Sequence, residues 1–120
     1  MAVKALSYIG VNSDKFEDWS VYSQKYLGMQ KIDRGKDILS FRMDDQKQRL
    51  TITGEKGDGL GFLGWEVENK EDLETFASKL EKNKIVVNQG KSFLADKRFV
   101  EDLIYFQDPQ GNRIEFVYKP

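Results

Sequence analysis

The chain has 120 residues, the size of one compact domain. Lys and Arg number 19 against 20 Asp and Glu, and this net charge of −1 creates no field to draw in nucleic acid or an anionic membrane. Cysteine and histidine are both absent. That excludes disulfides, thiolate metal sites, Ser-His-Asp hydrolysis and a two-His-one-carboxylate iron site as properties of this chain alone.

Met1 to Val11 lacks the charged start and continuous apolar stretch of a signal peptide. No apolar run approaches the roughly 20 residues of a membrane span, so a cytoplasmic protein without membrane contact is expected. Val3 to Val11 is β-branched and roughly alternating, which predicts a strand. Ser13 is placed to cap a helix with Asp14 in its first turn, where a negative charge suits the helix dipole. Phe16, Trp19, Tyr22 and Tyr26 recur at helical spacing and predict one aromatic, core-facing stripe. Gly28 is expected at the position just past the helix end. Met29 to Arg34, Ile38 to Met43 and Gln48 to Thr53 read as three strands, parted by Arg34-Gly35-Lys36 and Asp44-Asp45-Gln46.

The same order then returns. Phe62 to Val67 reads as a strand, Asn69 as a helix cap, and Leu73, Phe76, Ala77 and Leu80 as the apolar stripe of a second helix. Ile85 to Gln89 predicts a strand and Ser92 to Arg98 a short helical turn. Leu103 to Gln107 and Arg113 to Tyr118 complete the set. Asp108-Pro109-Gln110-Gly111-Asn112 has strong turn chemistry.

The halves superpose as sequences. Val11 falls on Val67 and Ser13 on Asn69, both at an offset of 56, and Arg49 to Ile52 fall on Arg113 to Phe116 at an offset of 64. The offset grows where insertions are cheapest, in loops. The expected fold is α+β: two tandem βαβββ modules, about 1–57 and 58–120, forming a curved eight-stranded mixed sheet with helices on the outer face. Neither module is large enough to bury its sheet alone.

Gly59-Leu60-Gly61-Phe62-Leu63-Gly64 satisfies GxGxxG, but dinucleotide binding needs the last glycine to open a helix. Here it leads into the alternating Trp65-Glu66-Val67, and a flexible crossover between modules is the better expectation. Asp44 and Asp45, adjacent in a turn, point apart and are expected in solvent. Lys47 and Arg49 are too few for a nucleic-acid patch.

Paired βαβββ modules ending in Asp108-Pro109-Gln110-Gly111-Asn112-Arg113-Ile114-Glu115-Phe116 resemble the vicinal oxygen chelate superfamily of glyoxalases, bleomycin-resistance proteins and extradiol dioxygenases. Leu94-Ala95-Asp96-Lys97-Arg98-Phe99-Val100 is similar to the N-terminal domain of type I extradiol dioxygenases, the 2,3-dihydroxybiphenyl 1,2-dioxygenase group. So are Leu6-Ser7-Tyr8-Ile9-Gly10-Val11 and Tyr26-Leu27-Gly28-Met29. The resemblance implies that Fe(II) belongs to a separate C-terminal-type domain. It also implies ligand positions on the first, fifth and last strands of metal-bearing modules, which match Tyr8, Phe62 and Glu115 here. Glu115 alone is a ligand-type residue, so no metal, cofactor or catalytic residue is expected in this chain. Arg113 shares the strand face of Glu115, and a nearby cation is the expected partner of that carboxylate. The expected partners are a metal-bearing domain or further copies of the chain as a dimer, with a small aromatic ligand. The alternative is a free-standing, metal-free ligand-binding protein of the bleomycin-resistance type. A glyoxalase-type lyase is disfavoured by the missing histidines.

Overall fold

Strand and helix boundaries follow the hydrophobic periodicity closely in the computed structural model, which describes residues 3–33, 38–44, 49–54 and 59–118. The strands are β1 (Val3–Asn12), β2 (Gln30–Asp33), β3 (Ile38–Arg42), β4 (Leu50–Thr53), β5 (Gly59–Val67), β6 (Asn88–Gln89), β7 (Asp102–Gln107) and β8 (Arg113–Tyr118). The helices are α1 (Phe16–Val21), which runs on into a π-helical turn at Tyr22–Tyr26, then α2 (Lys70–Lys82) and α3 (Ser92–Arg98). Eight strands form one mixed sheet in the order β2-β3-β4-β1-β5-β8-β7-β6. Internal contacts divide the chain into one unit of Tyr8–Gly61 and another of Phe62–Pro120 with Met1–Ser7.

In the unit of Tyr8–Gly61, β1 runs parallel to β4, and β2, β3 and β4 are antiparallel neighbours. Alternation sends Leu39, Phe41, Leu50 and Ile52 to one face, where Ile9, Val11, Phe16 and Trp19 pack against them. In the other unit, β5 runs parallel to β8, while β8, β7 and β6 are antiparallel. Its core joins Val67, Leu73, Ile104, Phe106 and Phe116, with Phe76, Ala77 and Leu80 of α2 laid over it. The predicted repeat is therefore a repeat of connectivity, each half following β-α-β-β-β. Val11 pairs with Ile52, and Val67 with Tyr118, where the alignment would set Phe116. That two-residue difference keeps every side chain on its own face.

Several expectations need correction. Ser13 caps no helix: its hydroxyl accepts from the Lys15 amide at 3.1 Å in a local turn, and α1 starts at Phe16 with Asp14 outside it. The aromatic stripe splits. Phe16 and Trp19 pack on the core, but Tyr22 and Tyr26 are 49% and 68% exposed. The π turn holds an extra residue, marked by the Leu27 amide bonding the Tyr22 carbonyl, and it turns the later rings off the stripe. Gly59 to Gly64 are strand, not a flexible crossover. A β-carbon on Gly61 would sit 2.7 Å from Asn12 Oδ1, so close packing explains that glycine. The strand expected over Ile85 to Gln89 shrinks to β6. Gly28 does end its helix, at φ +67, and Asn69 does cap α2, accepting from the Asp72 amide at 3.0 Å. The turn at 34–36 lies outside the described residues, as do Asp45, Gln46 and Lys47.

Candidate functional site

Glu115 is wholly buried in the middle of β8. A carboxylate there must be matched by hydrogen bonds and opposite charge, because desolvating it unmatched costs several kcal/mol. Two guanidinium groups meet it. Arg98 Nε donates to Oε1 at 2.9 Å and Nη2 to Oε2 at 3.1 Å, while Arg113 Nε donates to Oε2 at 2.9 Å. Each guanidinium also lies on an aromatic ring: Arg98 Cζ is 3.8 Å from the Phe62 centroid, and Arg113 Cζ is 3.9 Å from that of Tyr105.

Sheet register assembles this group. Phe62 stands opposite Arg113 and Gly64 opposite Glu115 across β5 and β8, while Tyr105 stands opposite Glu115 on the β7 side. Phe62 and Gly64, like Arg113 and Glu115, are two residues apart and share a face. Ile114 and Phe116 face α2 instead. Gly64 leaves the carboxylate free of a bulky cross-strand neighbour. Arg98 arrives from elsewhere, as the last residue of α3, and is 8% exposed. Phe99 follows it in the left-handed region, φ 58, and the Val100 amide bonds the Ala95 carbonyl, which ends the helix there. That backbone fixes where the Arg98 side chain starts.

The structure thus places the motif-matched Phe62 and Glu115 together on adjacent strands. Tyr8 lies in β1, in the other unit, and is buried. Arg98 was part of the motif Leu94 to Val100 without an assigned role. The signal that could have found it is chemical: a glutamate in an apolar strand needs a cation, and Arg98 is the arginine on the short helix preceding β7. Of the turn acids, Asp44 is exposed as expected, and there it is held by Arg49, with Nη2 to Oδ2 at 2.7 Å. Asp108 organises the turn before β8, its Oδ1 accepting from the amides of Gln110 and Asn112. The Asn112 backbone bond, then the Asn112 side chain, holds the Asp108 carboxyl below its ordinary value.

A family model described as "Dihydroxybiphenyl dioxygenase BphC D1" matches residues 6–54. The chain is 33% identical over 119 residues to an iron-dependent extradiol dioxygenase of Rhodococcus jostii (strain RHA1), covering 96% of this chain and 39% of that protein. It is 31% identical to a biphenyl-2,3-diol 1,2-dioxygenase of Sphingomonas paucimobilis, covering 100% and 40%. Its structure superposes on a crystal structure of catechol 2,3-dioxygenase with a TM-score of 0.94 at 30% identity, covering 100% of this chain and 43% of that one. Along nearly its whole length the chain is similar to one part of these extradiol dioxygenases. It spans about two fifths of the length of the relatives it matches. These relatives do not favour the bleomycin-resistance alternative.

The Rhodococcus jostii relative is an iron-dependent enzyme, and a divalent iron ion makes clear demands on the residues that hold it. Both Glu115 oxygens already accept from guanidinium groups. Phe62 offers no donor atom, and a guanidinium covers its ring. Among the described residues, no group of three or more Asp or Glu gathers at a point where a metal could be held. The residues present do not fit a divalent iron ion. No helix among the described residues is long and apolar enough to cross a membrane.

Proposed function

We propose that this chain is the catalytically silent first domain of a longer enzyme, and that the full enzyme opens catechols such as biphenyl-2,3-diol beside their hydroxyl groups. In this reading residues 1–120 form a single domain of two modules, about 1–57 and 58–120. Fe(II) and the aromatic substrate belong to a separate C-terminal-type domain, and this chain contributes no catalytic, cofactor-binding or metal-binding residue. Its part is to support that domain in a cytoplasmic homo-oligomer, a dimer in the simplest form. The observation that carries the reading is the double guanidinium clasp on Glu115, which engages the one ligand-type side chain among the motif-matched positions.

The test is the coding sequence beyond Pro120 and its neighbours. An in-frame continuation or adjacent gene carrying two histidines and a glutamate at ligand spacing is expected. Production of that polypeptide together with this chain should give Fe(II)-dependent oxygen uptake with 2,3-dihydroxybiphenyl. A stop codon with no such neighbour would turn the assignment toward the free-standing binding protein.

A further inference from the structure

We propose that Phe62 and Glu115 form a slot for a planar cation, and that the Arg98 guanidinium is its built-in occupant, standing where metal-bearing modules of this superfamily hold their ion. The second half of that statement rests on the family reading, through the motif match of Phe62 and Glu115. The slot itself rests on geometry. The ring of Phe62 forms its floor, 3.8 Å below Cζ, and the two oxygens of Glu115 form its edge, at 2.9 and 3.1 Å from Nε and Nη2. A flat, weakly hydrated, delocalised cation with parallel donors suits a ring face beside a carboxylate edge. A compact divalent ion does not, because a phenyl ring cannot replace the water ligands that it would give up.

The matching position in the first half carries a different side chain. At the offset of 64, Glu115 corresponds to Thr51, whose hydroxyl lies 3.5 Å from that of Ser40 in a neutral buried pair. Four positions, 34–37, separate β2 from β3, whereas twelve, 90–101, separate β6 from β7, and α3 occupies seven of these. The longer connection thus carries Arg98 to the carboxylate. Arg113, 35% exposed and stacked on Tyr105, steadies the same carboxylate from its other side.

Truncating Arg98 should leave a hole with the shape and charge preference of a guanidinium. In the full chain, Arg98→Ala is melted with N-ethylguanidinium chloride or ethylammonium chloride at equal, low ionic strength. Ethylguanidinium is expected to raise the melting temperature of the variant relative to its effect on the unsubstituted chain, and ethylammonium is not. Adding Glu115→Gln should abolish the difference, and Arg98→Lys should restore less stability than the bound ethylguanidinium does. In a second arm, Arg98→Ala with Phe62→His is titrated with Mn²⁺ and followed by electron paramagnetic resonance. It should bind at least about tenfold more tightly than the unsubstituted chain, since a nitrogen donor now stands beside a carboxylate that has lost both Arg98 contacts and keeps the one from Arg113. Equal effects of the two organic cations overturn the slot. Rescue without the gain in Mn²⁺ affinity overturns its identity with the metal position. Should Arg98→Ala not fold unaided, recovery of a melting transition with ethylguanidinium alone supports the slot, and recovery with neither cation overturns it. Neither arm reads ring cleavage, so a failure here is distinct from failure of the silent-domain reading.

Discussion

A carboxylate with no water around it is defined by what replaces the water, and for Glu115 that is two guanidinium forks on two aromatic rings. Asp108 shows the opposite regime: a turn carboxylate near solvent, held by amide donors. Its carboxyl is lowered first by the backbone bond from Asn112 and then by the Asn112 side chain. A carboxyl lowered on folding binds protons less readily in the native state. Its contribution to stability is therefore complete above the unfolded value of about 3.9 and is lost as pH falls through the folded value. We expect urea midpoints of the unsubstituted chain to fall from pH 5 into that acid range more steeply than those of Asp108→Asn. Parallel curves would show that Asp108 does not carry the difference. At this scale the sequence was legible wherever partners are close in the chain. Asp108 with Asn112, and Arg113 with Glu115, could be read from turn chemistry and the period of a strand. Arg98 with Glu115 was legible only as a carboxylate's need for a cation, because the two are seventeen positions apart and a left-handed Phe99 follows Arg98.

Helices and strands were legible where one period governed an entire segment. Leu73, Phe76, Ala77 and Leu80 repeat cleanly, Asn69 precedes them, and α2 forms as expected. The first helix misled because its spacing is helical but its winding is not uniform. A π turn depends on how the segment seats on the sheet, which residue spacing does not record. Close approaches are equally hidden. Gly90 donates its amide to the Leu103 carbonyl at 2.9 Å. A β-carbon added there would lie 2.6 Å from Leu103 Cγ and 3.2 Å from the Leu103 carbonyl oxygen. Leu103 is fully buried. Gly90→Ala should therefore destabilise the fold by about 2 kcal/mol through overpacking, read as a lower urea midpoint at unchanged slope. In a double-mutant cycle, Leu103→Ala should remove most of that cost, because the clash needs both side chains. Strict additivity would mean that the clash is relieved by the backbone instead.

At the scale of the molecule, a repeated order of elements carried the fold, and it was legible because it is a property of the whole sequence. The absence of histidine is a property of the whole sequence too, and the proposed silent domain leans on it. They lead to the expectation that the isolated chain cleaves no catechol, even after anaerobic loading with Fe(II). Ring cleavage needs iron held with positions open to both the diol and O₂, and two imidazoles with one carboxylate supply that arrangement. Here the motif-matched positions are Tyr8, Phe62 and Glu115. Glu115 is engaged by Arg98 and Arg113, so iron would have to displace two charge-assisted contacts to win a single carboxylate. Asp44 and Asp108 are committed elsewhere, to Arg49 and to the amides of their own turn. The measurement is oxygen uptake with 2,3-dihydroxybiphenyl, read beside the yellow absorbance of the ring-opened product, and no iron-dependent rate is expected. Turnover abolished by Glu115→Ala would overturn the silent-domain reading together with the residue match beneath it. Turnover that survives Glu115→Ala would point to a contaminating full-length enzyme, which mass spectrometry of the same sample would reveal. If that spectrum were clean, an iron site built without Glu115 would have to exist in this chain, and the silent-domain reading would fall on that evidence instead.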